Sequence, residues 1–147
     1  MHPLRRLLGG RDDVALFVDG PNVIREEFDV DLDEVRDAAA DAGRLAVSRL
    51  YLDEHASSGL VRAGEAKGFD VRVTSGDVDV KLAVDAAALV AEGDVDVLAV
   101  ATRDSDFKPL LEVAGERGVR TLAIAPGSHG RSDALLNAAD DAVTLDE

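Results

Sequence analysis

The sequence predicts an α/β protein in three layers, with helices on both faces of a central parallel sheet of about five strands. Short apolar runs alternate with helical segments of roughly ten to twelve residues, the pattern of strands joined by crossover helices. The runs at 14–18 and 95–101 are almost wholly apolar, as strands covered on both faces must be. Both exit into aspartates, and sheets of this kind bind ligands beyond the carboxyl ends of their strands.

Residues 14–18 form the first strand, and Gly20-Pro21 turns the chain after it. Leu32, Val35, Ala39 and Ala42 recur at helical spacing, with Asp31 as N-cap and Gly43 as stop. Residues 45–52 read as the second strand, and a helix over 57–67 is closed by Gly68. Residues 69–73 alternate as a short third strand. After a polar loop at 74–79, residues 80–91 form a helix stopped by Gly93. The fourth strand covers 95–101, and 107–117 is helical, with Gly118 following. The fifth strand, 119–125, ends at Pro126-Gly127. A short helix over 132–139 is capped by Ser132, and 142–145 offers a last edge strand.

At 147 residues the chain is read as one domain with room for a sizeable core. Residues 1–12 read as a flexible leader and 13–147 as a single domain. Arg5 and Arg6 precede only paired leucines, too short for a signal-peptide core, and Gly9-Gly10 marks the boundary. No apolar run approaches membrane length, so no membrane partner is expected and the cytoplasm is the expected location. The absence of cysteine rules out a disulfide framework, a thiolate nucleophile and a zinc–thiolate site.

Asp and Glu number 30 against 16 Lys and Arg, a formal net charge of −14, and the acids are spread between apolar runs in a chain that is 46% hydrophobic. That is a folded acidic protein rather than a disordered tail. A surface adapted to high salt explains it, because self-repulsion is screened there; an ordinary acidic protein is the alternative. At molar salt the Debye length is only ~3 Å, so the acidic total does not exclude a nucleic-acid substrate.

Three segments bring aspartates to the ligand-binding rim. Asp19 follows the first strand, with Asn22 just beyond; Asp104 and Asp106 follow the fourth strand and flank Ser105. Asp85 shares the inward stripe of Leu82 and Leu89 on the helix from residue 80. Each has a structural alternative: Asp19 and Asp106 as N-caps, Asp85 as the i,i+4 ion-pair partner of Lys81. Asp77 or Asp79 could cap that helix; Asp79 is the expected cap, with a place in the site as its alternative. Gathered carboxylates repel unless a proton or a cation sits among them, and Mg²⁺ or Mn²⁺ suits oxygen donors beside a phosphate. Arg103, Lys81 and Lys108 lie near the same rim as candidate phosphate contacts. The histidines have no zinc spacing, and neither a G-x-x-x-x-G-K-[ST] loop nor a G-x-G-x-x-G turn is present.

The segments Asp19-Gly20-Pro21-Asn22, Ser75-Gly76-Asp77-Val78-Asp79-Val80-Lys81 leading to Asp85, and Thr102-Arg103-Asp104-Ser105-Asp106-Phe107, with Ser132, Leu135 and Asn137-Ala138-Ala139-Asp140, resemble the NYN domain family. The likeness is to its archaeal LabA-like branch, within the PIN-like nuclease superfold. It implies a PIN-like fold and a Mg²⁺- or Mn²⁺-dependent ribonuclease site. The matching positions are Asp19 with Asn22, Asp85, and the pair Asp104 and Asp106. Thr102-Arg103 stands where many members carry Ser-Gly, and Gly76 where many carry Lys.

The reading is a metal-dependent ribonuclease-like domain acting on RNA, with Asp19, Asp85, Asp104 and Asp106 as metal ligands. Asn22 would orient an acid or a water, and Ser105, Arg103, Lys81 and Lys108 would meet substrate phosphates. The rival is a non-catalytic RNA-binding or regulatory module that keeps the same fold.

Overall fold

The computed structural model describes residues 12–24, 31–127 and 132–145. The expected leader lies outside these residues, apart from Asp12. The described chain runs β1 (Asp13–Asp19), α1 (Gly20–Val23), α2 (Leu32–Ala40), β2 (Arg44–Asp53), α3 (Ser58–Ala66), β3 (Asp70–Thr74), α4 (Val78–Glu92), β4 (Val97–Ala101), a 3₁₀ turn (Ser105–Phe107), α5 (Lys108–Glu116), β5 (Arg120–Ala125), α6 (Asp133–Ala138) and β6 (Asp141–Thr144).

The strands form one sheet in the order β3-β2-β1-β4-β5-β6, and each neighbouring pair is parallel. The chain winds outward from β1 to β3, then crosses back to lay β4 on the other side of β1. The crevice between the carboxyl ends of β1 and β4 is therefore the point where the winding reverses, the place such sheets reserve for ligands. The sequence predicts about five strands, and the sheet has six. Asp141–Thr144 is exposed throughout, yet it pairs with β5 from Leu122↔Asp141 to Ala125↔Thr144.

Burial explains which strands are central. All seven residues of β1 and all five of β4 are buried. Along β1, Ala15 and Phe17 enter the core under α4, α5 and α6, while Val14, Leu16 and Val18 enter the core under α2 and α3. After Asp13, alternation of this kind leaves no polar position until the strand ends at Asp19. Gly20 must follow there, because a Cβ on it would lie 2.3 Å from the Tyr51 carbonyl oxygen and 2.5 Å from Leu52 Cδ2.

Helix starts follow their caps. Asp31, Ser57 and Ser132 accept from the backbone N–H of Asp33, Leu60 and Leu135. Helix α4 begins at Val78, two residues before the expected start, so Asp77 occupies the N-cap position and Asp79 falls inside the first turn. Its end is as expected, with Gly93 in the left-handed region at φ 79°. Among the described residues no helix is long and apolar enough to cross a membrane.

Candidate metal centre

The carboxylate of Asp19 is tied to the loop after β4. Asp19 is 4% exposed, and its Oδ2 accepts a 3.0 Å hydrogen bond from the Thr102 hydroxyl. The same hydroxyl oxygen accepts from Asp104 N–H at 3.1 Å. One buried threonine thus fixes both the Asp19 carboxylate and the backbone that presents Asp104. Although Asp19 stands at the N-cap position of α1, its side chain makes no cap hydrogen bond, so capping does not explain it. Asn22 fastens the same two segments: its side-chain carbonyl accepts from Arg103 N–H and its main-chain carbonyl from Arg103 Nη1, each at 2.7 Å.

Asp104, not Asp106, caps the turn that follows, with Oδ1 accepting from Asp106 N–H at 2.8 Å. This short turn folds Asp106 back beside its own cap. Carboxylate oxygens of Asp79, Asp104 and Asp106 then lie within 4.8 Å of one another. Asp79 and Asp104 are half-buried and Asp106 is exposed. Three negative oxygens this close are the donor set a hard divalent cation takes, with water completing its shell. Asp19, Asp53, Asp77, Asp79 and Asp104 line one open cleft of about 270 Å³ with Asn22. A larger groove of about 360 Å³ opens at the amino end of the sheet over Ala38, Ala42, Val97, Leu122 and Val143. Among the described residues, the carboxylate cluster adjoins the smaller cleft and not this groove.

A family model for the NYN domain matches residues 13–146. The chain belongs to the NYN domain family. The fold is thus of the PIN-like nuclease kind, with an acidic cluster at the carboxyl edge of its sheet. The chain is 41% identical over 138 residues to the uncharacterized protein MJ0482 of Methanocaldococcus jannaschii. The match takes in 94% of this chain and 57% of that protein, so the chain spans little more than half the relative's length. A crystal structure of a protein of unknown function from Vibrio parahaemolyticus, VPA0982, superposes with a TM-score of 0.80 at 19% identity, over 93% of this chain and 94% of that one. At that identity the likeness is one of fold.

Of the aspartates singled out in the sequence, this NYN domain brings Asp19 and Asp104 into the cleft and Asp106 into the cluster. Asp85 is in neither the cleft lining nor the cluster, and has partners of its own. Its carboxylate accepts from the Tyr51 hydroxyl at 2.7 Å and lies 3.2 Å from Lys81 Nζ and 3.8 Å from Arg72 Nη1. Burial works to raise its pKa, but the bonds from Tyr51 and Lys81 and the two cations outweigh it and hold the group below the usual carboxylate value. The Tyr51 hydroxyl is pushed up to about 12, first by burial and then by its bond to Asp85.

The expected phosphate contacts divide in the same way. Ser105 and Lys108 are exposed at the turn beside the cluster. Lys81 is half-exposed and paired with Asp85. Arg103 is 8% exposed and points back to Asn22, so it ties the loop together. Asp79 joins the cluster where a helix cap was expected, and Asp53 joins the cleft unheralded. The rule that singled out Asp19, an apolar strand exiting into an acid, also fits Leu50-Tyr51-Leu52-Asp53.

Proposed function

We propose that this NYN domain is a cytoplasmic, metal-dependent ribonuclease of the archaeal LabA-like branch, cleaving RNA phosphodiesters. The observation that carries the reading is the convergence of Asp79, Asp104 and Asp106 oxygens within 4.8 Å at the reversal point of the sheet. These three residues would hold Mg²⁺ or Mn²⁺, and Asp19 adds a fourth carboxylate in the same cleft. A bound divalent cation supplies charge neutralisation at the phosphate and a more acidic water.

The chain's own groups do the positioning. Thr102 holds the Asp19 carboxylate and the Asp104 backbone at fixed separation, and Asn22 locks both segments through Arg103. Ser105 and Lys108 stand in solvent at the edge where a polynucleotide would pass. Asp85 acts one step removed, setting Lys81 and Arg72 beside each other on the α4 side of the site. The acidic surface, net −14, suits a saline interior in which contacts through metal and hydrogen bonds survive the loss of long-range attraction.

The test is cleavage of end-labelled single-stranded RNA in molar KCl with Mg²⁺, Mn²⁺ or EDTA, wild type beside Asp104→Asn and Asp19→Asn. Cleavage that needs the metal and is lost in both variants supports the nuclease. Unchanged cleavage in the variants refutes the assignment of these residues. Metal and RNA binding without turnover assigns the chain to a binding module on the same fold.

A further inference from the structure

Helix α4 exposes two valines, where α5 exposes one, Val113, and α2 none. A surface helix buries an apolar stripe and turns charge to water. On α2 the outward residues include Asp33, Glu34 and Asp37, and on α5 they include Lys108, Glu112 and Glu116. Helix α4 buries Val78, Leu82, Ala86 and Val90, yet its opposite side carries the exposed Val80, Val84, Ala88 and Ala91. Val80 is 56% exposed and Val84 60%. Between Lys81 and Glu92 the helix has one charged residue, Asp85, and that is turned to Tyr51. Val80, Val84, Ala88 and Ala91 form a contiguous apolar strip in water on a chain of net charge −14.

We propose that the outer face of α4 is where two copies of this chain dock, their α4 helices antiparallel about a two-fold axis. The face is complementary to itself. Its amino-terminal half is bulky, with Val80 and Val84, and its carboxyl-terminal half is shallow, with Ala88 and Ala91. Antiparallel crossing sets each valine pair over the partner copy's alanines, as an isologous interface requires. Charge agrees with shape. Lys81 and Glu92 lie on the same flank, three helical turns apart at opposite ends of the stripe, both exposed. The two-fold therefore brings each lysine, already beside its own Asp85, to the partner copy's glutamate as a second carboxylate. Parallel docking would put like charge on like and valine on valine. A nucleic acid finds a single cation, Lys81, at the end of the stripe and none along it, and elsewhere two such acidic molecules repel. Asp79 lies on the other flank of the helix from Lys81, so docking leaves the acidic cluster open.

Sedimentation of the full chain over a range of concentrations, in dilute and in molar KCl, tests the proposal. A dimer should form, more tightly in molar salt, where repulsion between copies is screened. Val84→Asp should weaken it by about a hundredfold, with an unchanged circular dichroism spectrum because the side chain is in water in the monomer. The chain has no cysteine, so introduced thiols report on one contact each. A mixture of Val84→Cys and Ala88→Cys chains should cross-link faster than either variant alone. A monomer at every concentration, a dimer indifferent to Val84→Asp, or fastest cross-linking of Val84→Cys with itself would each overturn the proposal.

Discussion

Replacing Asp104 by Asn separates the two roles of this residue. As a cap, its Oδ1 accepts from Asp106 N–H, and an Asn carbonyl accepts equally well. As a charge, it faces Asp79 and Asp106 with oxygens within 4.8 Å. At that separation a pair of unit charges repels by about 0.9 kcal/mol at the dielectric constant of water. The substitution removes two of the three pairs, so metal-free stability should rise by roughly 1–2 kcal/mol in dilute buffer. At molar salt, where the Debye length is ~3 Å, the gain should nearly vanish. The metal reverses the sign. A cation at a hundred times its Kd stabilises the wild type by about 2.7 kcal/mol, and the variant should lose most of this. The assay is thermal unfolding of both proteins in EDTA and across a Mn²⁺ titration. An equal metal-induced rise in Tm for the two proteins would refute the ligand assignment. A fall in the variant's Tm in EDTA would refute the argument from repulsion.

Further outcomes follow from single contacts. Thr102→Val removes the hydroxyl that holds both Asp19 and Asp104 N–H, and should weaken Mn²⁺ binding by about 10–100-fold, measured by calorimetry, as loss of an orienting partner does. Gly20→Ala forces a Cβ against the Tyr51 carbonyl and should destabilise the fold by about 1–3 kcal/mol in urea unfolding; a neutral result means β1 and β2 are further apart than described. Tyr51→Phe leaves Asp85 without its hydroxyl donor and should lower stability by about 1–3 kcal/mol near neutral pH. The pH profile carries the sign: Tyr51, raised to about 12, contributes stability that is full below pH ~10 and lost as pH climbs through the folded value, so this alkaline loss should disappear in the variant. Asp85, held low, contributes above its unfolded value and loses it as pH falls through the folded one, and that acid loss should shrink. Finally, Tm in KCl should rise from dilute to molar salt if the net charge of −14 opposes folding, and a flat or falling Tm would point to an ordinary acidic surface.

The central strands were legible because burial on both faces leaves a plain signal. From Val14 in β1 and throughout β4 the residues are apolar, and each run ends at a polar residue, Asp19 and Thr102. The caps at Asp31, Ser57 and Ser132 and the stop at Gly93 were legible because each is a local device. β6 was harder, since all four of its residues are exposed and nothing but pairing with β5 marks it. The start of α4 was misplaced because Asp77 and Asp79 both look like caps. Neither makes an N-cap side-chain bond, so propensity alone could not choose between them.

That two-residue displacement decides how the acids divide. With Val78 already helical and buried, the inward stripe is Val78, Leu82, Ala86 and Val90. Measured from that stripe, Asp79 stands on the flank facing Asp104, while Lys81 and Asp85 stand together on the flank facing β2 and β3. The sequence pattern correctly puts Asp85 against the molecule rather than in water, since its side chain is 14% exposed. It cannot say which neighbour awaits it there. Tyr51 supplies the answer through the sheet register, which sets Asp19, Tyr51 and Arg72 side by side across β1, β2 and β3. A buried hydroxyl and two cations satisfy Asp85, whereas the three carboxylates at the other flank have each other's charge to contend with. Backbone N–H groups reach Asp79 and Asp104, but the charge of the set is left to mutual repulsion, and it gathers where the sheet's winding reverses.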